Sequence, residues 1–202
     1  SQESWSYASL LHVIGFRTAV SPEVDAAECW IRHPDGMLTR RRILLFSHLA
    51  VVCDDVYGTE AATLRWHLAA SCPCQYHGAL WQCGPLSVSL LGKETPKQMR
   101  GETSPEYRQL LPTTVLELPI PPNGHAVTLF SQRPFTATPL PLHCVGDGTS
   151  IHETAGYGLS ITTEGHTLTM INRREDIIHQ VDLVRCGSME GYGSLLIKQD
   201  AD

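Results

Sequence analysis

Leu38–Leu68, LTRRRILLFSHLAVVCDDVYGTEAATLRWHL, is the stretch whose reading decides the fold. A basic entry, Arg40 to Arg42, leads into the apolar run Ile43 to Phe46. A second run, Leu49 to Val52, ends on Asp54 and Asp55, and a third passes through Leu64, Trp66 and Leu68. Ser47-His48 separates the first two runs, and Val56 to Ala61, centred on Gly58, separates the second from the third. Short polar or glycine-bearing turns between β-rich runs predict strands joined in an antiparallel meander.

The same grammar extends in both directions. Leu10 to Phe16 reads as a strand, and Ala26 to Arg32 alternates, with Ala27, Cys29 and Ile31 on one face and Glu28, Trp30 and Arg32 on the other. His33-Pro34-Asp35-Gly36 then supplies turn chemistry. Downstream, strands are predicted over Ala79 to Gln82, Leu86 to Leu91, Thr113 to Leu118, Ala126 to Gln132, Leu140 to Val145, Gly158 to Thr163, Thr167 to Ile171, Ile177 to Val184 and Ser194 to Lys198. Asn123-Gly124 is a hairpin signal between the third and fourth of these. Lys93 to Pro112 loses the alternation and is read as a long surface loop. No long amphipathic helix is evident. The expectation is an all-β chain, an antiparallel β-sandwich of about 12 or more strands in one domain spanning residues 1–202.

The bulk composition excludes some partners. A net charge of −6 argues against nucleic acid, and the longest apolar runs fall far short of a bilayer span, so no membrane partner is expected. There is no initiator Met and no recognisable signal peptide, and the chain reads as a piece of something longer. Seven cysteines is an odd number and leans toward reduced thiols.

Taken in order, several elements resemble the C-terminal β-sandwich of heparinase II/III-like polysaccharide lyases. Ser1-Gln2-Glu3-Ser4-Trp5 is similar to that family's Gln-Ser/x-Glu-x-Trp element. Arg41-Arg42, Val51-Val52-Cys53-Asp54, Trp66-His67-Leu68 and Ser104-Pro105-Glu106-Tyr107 match its next marks, followed by Val115-Leu116-Glu117 and Val127-Thr128-Leu129. The resemblance covers roughly the first two-thirds of the chain. It implies a bacterial enzyme that cleaves an acidic, uronate-containing polysaccharide by β-elimination, with the sandwich packed on a helical toroid as one wall of the cleft. The catalytic Tyr, His and Asn groups, and the zinc ligands of some members, belong to segments preceding the residues matched here. No catalytic residue and no metal site is therefore carried over. Gln2, Glu3 and Trp5 are the candidate substrate-binding residues, the other reading of Trp5 being a ring packed at the sandwich rim. Family members are often periplasmic or secreted, while the cysteine count fits a reducing compartment equally well. The alternative from another class is a non-catalytic carbohydrate-binding or assembly module.

Other constellations stand apart from the family. Asp54, Asp55 and His67 offer metal or acid–base chemistry, although the preferred reading has the aspartates starting a turn and His67 bonded within the sheet. Arg41 and Arg42 read as cross-strand partners of acids. Cys72, Cys74, His77 and Cys83 offer a Cys₃His zinc set, opposed by the single residue between Cys72 and Cys74 and by the reading as surface or disulfide-forming thiols. Tyr107 reads as an apolar anchor for the loop, and His125 and His166 as turn residues.

Overall fold

The computed structural model describes residues 11–70, 72–106, 109–174 and 183–201. All regular structure among these residues is β. The chain forms two compact units, Ser1–Gln132 and Arg133–Asp202.

In the first unit the strands are β1 (His12–Val20), β2 (Asp25–Arg32), β3 (Leu38–Leu45), β4 (Leu49–Tyr57), β5 (Ala62–His67), β6 (Cys74–His77), β7 (Leu80–Cys83), β8 (Leu86–Gly92), β9 (Lys97–Glu106), β10 (Gln109–Ile120) and β11 (His125–Ser131). An eight-stranded antiparallel sheet has the order β1-β2-β3-β4-β11-β8-β7-β6, and a three-stranded sheet the order β5-β10-β9. Between them lies a core of Val56, Leu64, Trp81, Val88, Leu90, Leu116, Leu118, Ile120 and Ala126. Apolar residues on one face of each sheet meet there, which makes the unit the expected sandwich.

The meander is only half present. Ser47-His48 does join β3 to β4 as a tight hairpin, closed by the Phe46 N–H donating to Leu49 O at 2.8 Å. β5 leaves the sheet, because the far edge of β4 is already paired with β11. The Asn123-Gly124 turn also crosses between layers and does not form a hairpin: β10 pairs with β5 and β9, whereas β11 pairs with β4 and β8. Asn123 sits at φ 51°, where its short polar side chain is tolerated. Its Oδ1 accepts the Gly58 N–H at 3.1 Å, and the Val56 N–H donates to Gly124 O at 3.0 Å. The two crossings are thereby tied at one corner.

The predicted loop at 93–112 is mostly strand: β9 runs Lys97–Glu106 and pairs with β10. Its residues are largely exposed, as befits an edge strand, and without a buried face there is no apolar alternation to read. Tyr107 lies outside the described residues.

The second unit has β12 (Phe135–Leu140), β13 (His143–Cys144), β14 (Gly156–Thr163), β15 (His166–Arg173), β16 (Val184–Cys186), β17 (Met189–Gly191) and β18 (Leu195–Ala201). They form a four-stranded sheet, β12-β14-β15-β18, and a three-stranded one, β13-β16-β17. Leu142, Ile171, Val184, Cys186 and Met189 are buried together. The predicted strand Leu140 to Val145 is split, because Pro141 has no N–H with which to continue the ladder. Most of the strand expected over Ile177 to Val184 lies outside the described residues, and Val184 opens β16.

Candidate functional site

The richest collection of charged and aromatic side chains lies on β2, β3 and β4. The Ser47-His48 turn fixes a register in which Arg40 faces Asp55, Arg41 faces Asp54 and Arg42 faces Cys53. On the other side of β3, Trp30 faces Arg40 and Glu28 faces Arg42. Period-2 alternation therefore gathers Glu28, Trp30, Arg40, Arg42, Asp55 and Tyr57 on one face.

Arg40 is 2% exposed and Asp55 0%. The guanidinium donates to Asp55 Oδ2 through Nε at 3.1 Å and through Nη2 at 2.8 Å. Its carbon also lies 5.1 Å from the Trp30 ring centroid and 5.8 Å from that of Tyr57, within cation–π range. The two rings stack with centroids 5.2 Å apart. Next to this pair, Arg42 Nε donates to Glu28 Oε2 at 2.6 Å and Trp30 Nε1 to Glu28 Oε1 at 3.0 Å. Burial pushes the Glu28 carboxyl up, but Arg42, the Trp30 N–H and the charge of Arg40 outweigh it and hold it below its ordinary value.

The opposite face carries a third ion pair, Arg41 Nε to Asp54 Oδ1 at 2.6 Å, with the guanidinium 5.2 Å from the Trp66 centroid. Trp66 donates to Thr128 Oγ1 at 3.0 Å and meets Phe130 edge to face. Burial, reinforced by the charge of Asp55, pushes Asp54 above its ordinary value despite Arg41.

This arrangement answers several sequence readings. Arg41 and Arg42 are cross-strand partners of acids, as expected. The aspartates do not start a turn: both lie inside β4, which continues to Tyr57, and each engages an arginine. His67 sits on β5 in the other sheet, opposite Val115, so the sheets do not make the three residues neighbours. His125 and His166 open strands just past their turns. The sequence reading missed Trp30, Tyr57, Arg40 and Glu28. Counting outward from Ser47-His48 gives the Arg40–Asp55 pairing, and that was the signal available.

Among the thiols, Cys74 and Cys83 are directly opposed across β6 and β7, with 2.9 Å between sulfurs. His77 lies three residues along β6 from Cys74 and so projects from the opposite face. No group of three or more metal-ligating side chains is assembled among the described residues. In the second unit a pocket of about 330 Å³ is lined by Cys144, Asp147, Thr149, Ile151, His152 and Arg173, among others. Gln2, Glu3 and Trp5, the expected substrate-binding residues, lie outside the described residues.

The two signs of shift make a testable pair. Glu28, lowered from 4.5, stabilises the fold above that value, and the contribution is lost as pH falls through its folded pKa. Asp54, raised from 3.8, acts oppositely: its contribution is present below that value and lost as pH rises through the folded pKa. Glu28→Gln is therefore expected to be less stable than the parent at pH 7, with the gap narrowing as pH is taken below 4.5. Urea unfolding at a series of pH values measures this, and a gap that stays constant on acidification would remove the assigned role of Glu28.

No family model and no curated protein matches the sequence. Solved structures do match. A heparinase III superimposes with a TM-score of 0.59 and 10% identity, over 82% of this chain and 30% of that one. The heparan sulfate lyase HepC from Pedobacter heparinus gives 0.54 and 16% identity, over 85% and 31%. In fold, the chain resembles heparinase III-type lyases, and it spans about 30% of their length.

Proposed function

We propose that this chain is the β-sandwich portion of a heparinase II/III-like polysaccharide lyase, forming a supporting wall of the cleft and carrying no main catalytic group. The observation that carries this reading is the asymmetry of the match, 82% of this chain against 30% of the heparinase III chain. The proposed substrate of the whole enzyme is an acidic, uronate-containing polysaccharide, and the proposed intramolecular partner is a helical toroid. The ion pairs on β2 to β4 fit such a supporting role, since Arg40, Arg41 and Arg42 each already have a carboxylate partner. Val13, Ile14, Phe16 and Val20 on edge strand β1 are exposed and offer an apolar surface for a docking domain.

The test is eliminase activity, read as the ultraviolet absorbance of an unsaturated uronate. The chain alone, and the chain joined to the sequence encoded before it, are mixed with a panel of uronate polysaccharides. Product is expected only from the joined protein. Product from the chain alone would put the catalytic groups within it, and product from neither would overturn the lyase reading.

A further inference from the structure

We propose that Cys74 and Cys83 form a reversible dithiol–disulfide site that takes low-molecular-weight disulfides as its oxidant and staples the β6–β7 hairpin at the edge of the eight-stranded sheet. The placement comes from hairpin register. Gly78 and Ala79 form the loop, Gly78 with φ 70°, so residue pairs count outward from His77–Leu80 to Cys74–Cys83. The Gly84 N–H donates to Pro73 O at 2.9 Å, which makes the neighbouring Pro73–Gly84 pair a hydrogen-bonded one. Because the ladder alternates, Cys74–Cys83 is a non-hydrogen-bonded pair, the kind in which opposed Cα atoms are only about 4.5 Å apart and side chains are closest. That spacing lies within the range a disulfide spans, and the sulfurs are already 2.9 Å apart.

The thiols differ in access. Cys74 is half-buried and Cys83 is buried at 3% exposure. Burial first, then the neighbouring Cys74 and Cys72 thiols, pushes the Cys83 thiol up. Entry is therefore through Cys74. Its thiolate attacks the S–S bond of the oxidant and expels one small thiolate, leaving a mixed disulfide. Cys83 then gives up its proton and attacks the Cys74 sulfur, expelling the second thiolate. Overall, two protein thiols and one small disulfide become one protein disulfide and two small thiols, and excess small thiol reverses the exchange. Cys72, whose thiol contacts Pro73 O at 3.7 Å, is the nearby competitor that a test must separate.

The full chain is equilibrated in glutathione buffers from fully reduced to fully oxidised and trapped with acid. Chymotryptic cleavage at Tyr76 and Trp81 puts Cys74 and Cys83 on different peptides. A linked pair lighter by two hydrogens is expected in the parent and equally in Cys72→Ser, with a Tm increase of roughly 5 °C on oxidation. Cys74→Ser is expected to lose both the linked peptide and the shift. Absence of the linkage in the fully oxidised parent, or its disappearance in Cys72→Ser, would overturn the proposal. Both readouts use chains that retain Cys83, so they do not depend on how a Cys83 variant folds.

Discussion

Replacing Asp55 with Asn is expected to cost about 3–5 kcal/mol of folding stability, because it removes the carboxylate charge facing a guanidinium buried at 2% exposure. The side chain keeps its shape, so the loss is electrostatic and not a packing defect. In the interior an arginine does not shed its proton to escape the penalty. The attraction of Trp30 and Tyr57 for the Arg40 cation remains, and at about 0.5–2 kcal/mol it does not replace the lost partner. Since the whole stability of a domain is about 5–15 kcal/mol, this one change consumes a large part of it.

The control is the paired exchange Arg40→Met with Asp55→Leu, which removes both charges and leaves apolar side chains of similar length. That variant is expected to be more stable than Asp55→Asn alone, because no buried guanidinium is left without the Asp55 carboxylate. Urea midpoints for the parent, the single and the double variant measure the difference. A loss below about 1 kcal/mol for Asp55→Asn would mean that Arg40 is reached by solvent. The half-exposed pair Arg65–Glu117 sets the scale for the surface case, and Glu117→Gln is expected to cost under about 1 kcal/mol.

How these groups meet was legible from one turn. Ser47-His48 sets the β3–β4 register, and counting outward from it pairs Arg40 with Asp55 and Arg41 with Asp54. Where β5 goes was not legible: a turn with Gly58 at its centre announces a reversal but not the layer in which the next strand pairs. The edge already occupied by β11 decided that, and β11 lies some seventy residues downstream of β4. The hairpin reading of Asn123-Gly124 failed for the same reason, since Asn123 serves a corner between sheets and binds Gly58 across it. The polar segment after Gly92 was misread because edge strand β9 has no buried face to impose a period. At the thiols, the sequence reading placed no strand over Cys74–His77, so the parity along β6 that separates His77 from Cys74 was not counted. The small spacing in sequence had suggested proximity that the pleat denies.

Trp81→Ala is expected to cost about 3–5 kcal/mol, comparable with Asp55→Asn but by an apolar route. Trp81 is 3% exposed, lies opposite Val88 in the register of β7 and β8, and joins the core between the two sheets of the first unit. Truncation leaves a cavity where β7 must hold the outer hairpin to the sheet, and the Tyr76 ring, 4.6 Å away and itself 55% exposed, has no other buried ring to cover in the described structure. Trp81→Phe separates area from polarity. The Trp81 Nε1 is buried with no hydrogen-bond partner among the described residues, so a phenyl ring gives up some contact area while removing that polar cost. The two effects oppose each other, and Phe is expected within about 1.5 kcal/mol of the parent. Thermal and urea unfolding of both variants measure the contrast. If Phe proved nearly as costly as Ala, the indole N–H would have to be satisfied in solution and Trp81 would be a hydrogen-bonded anchor, not an apolar one.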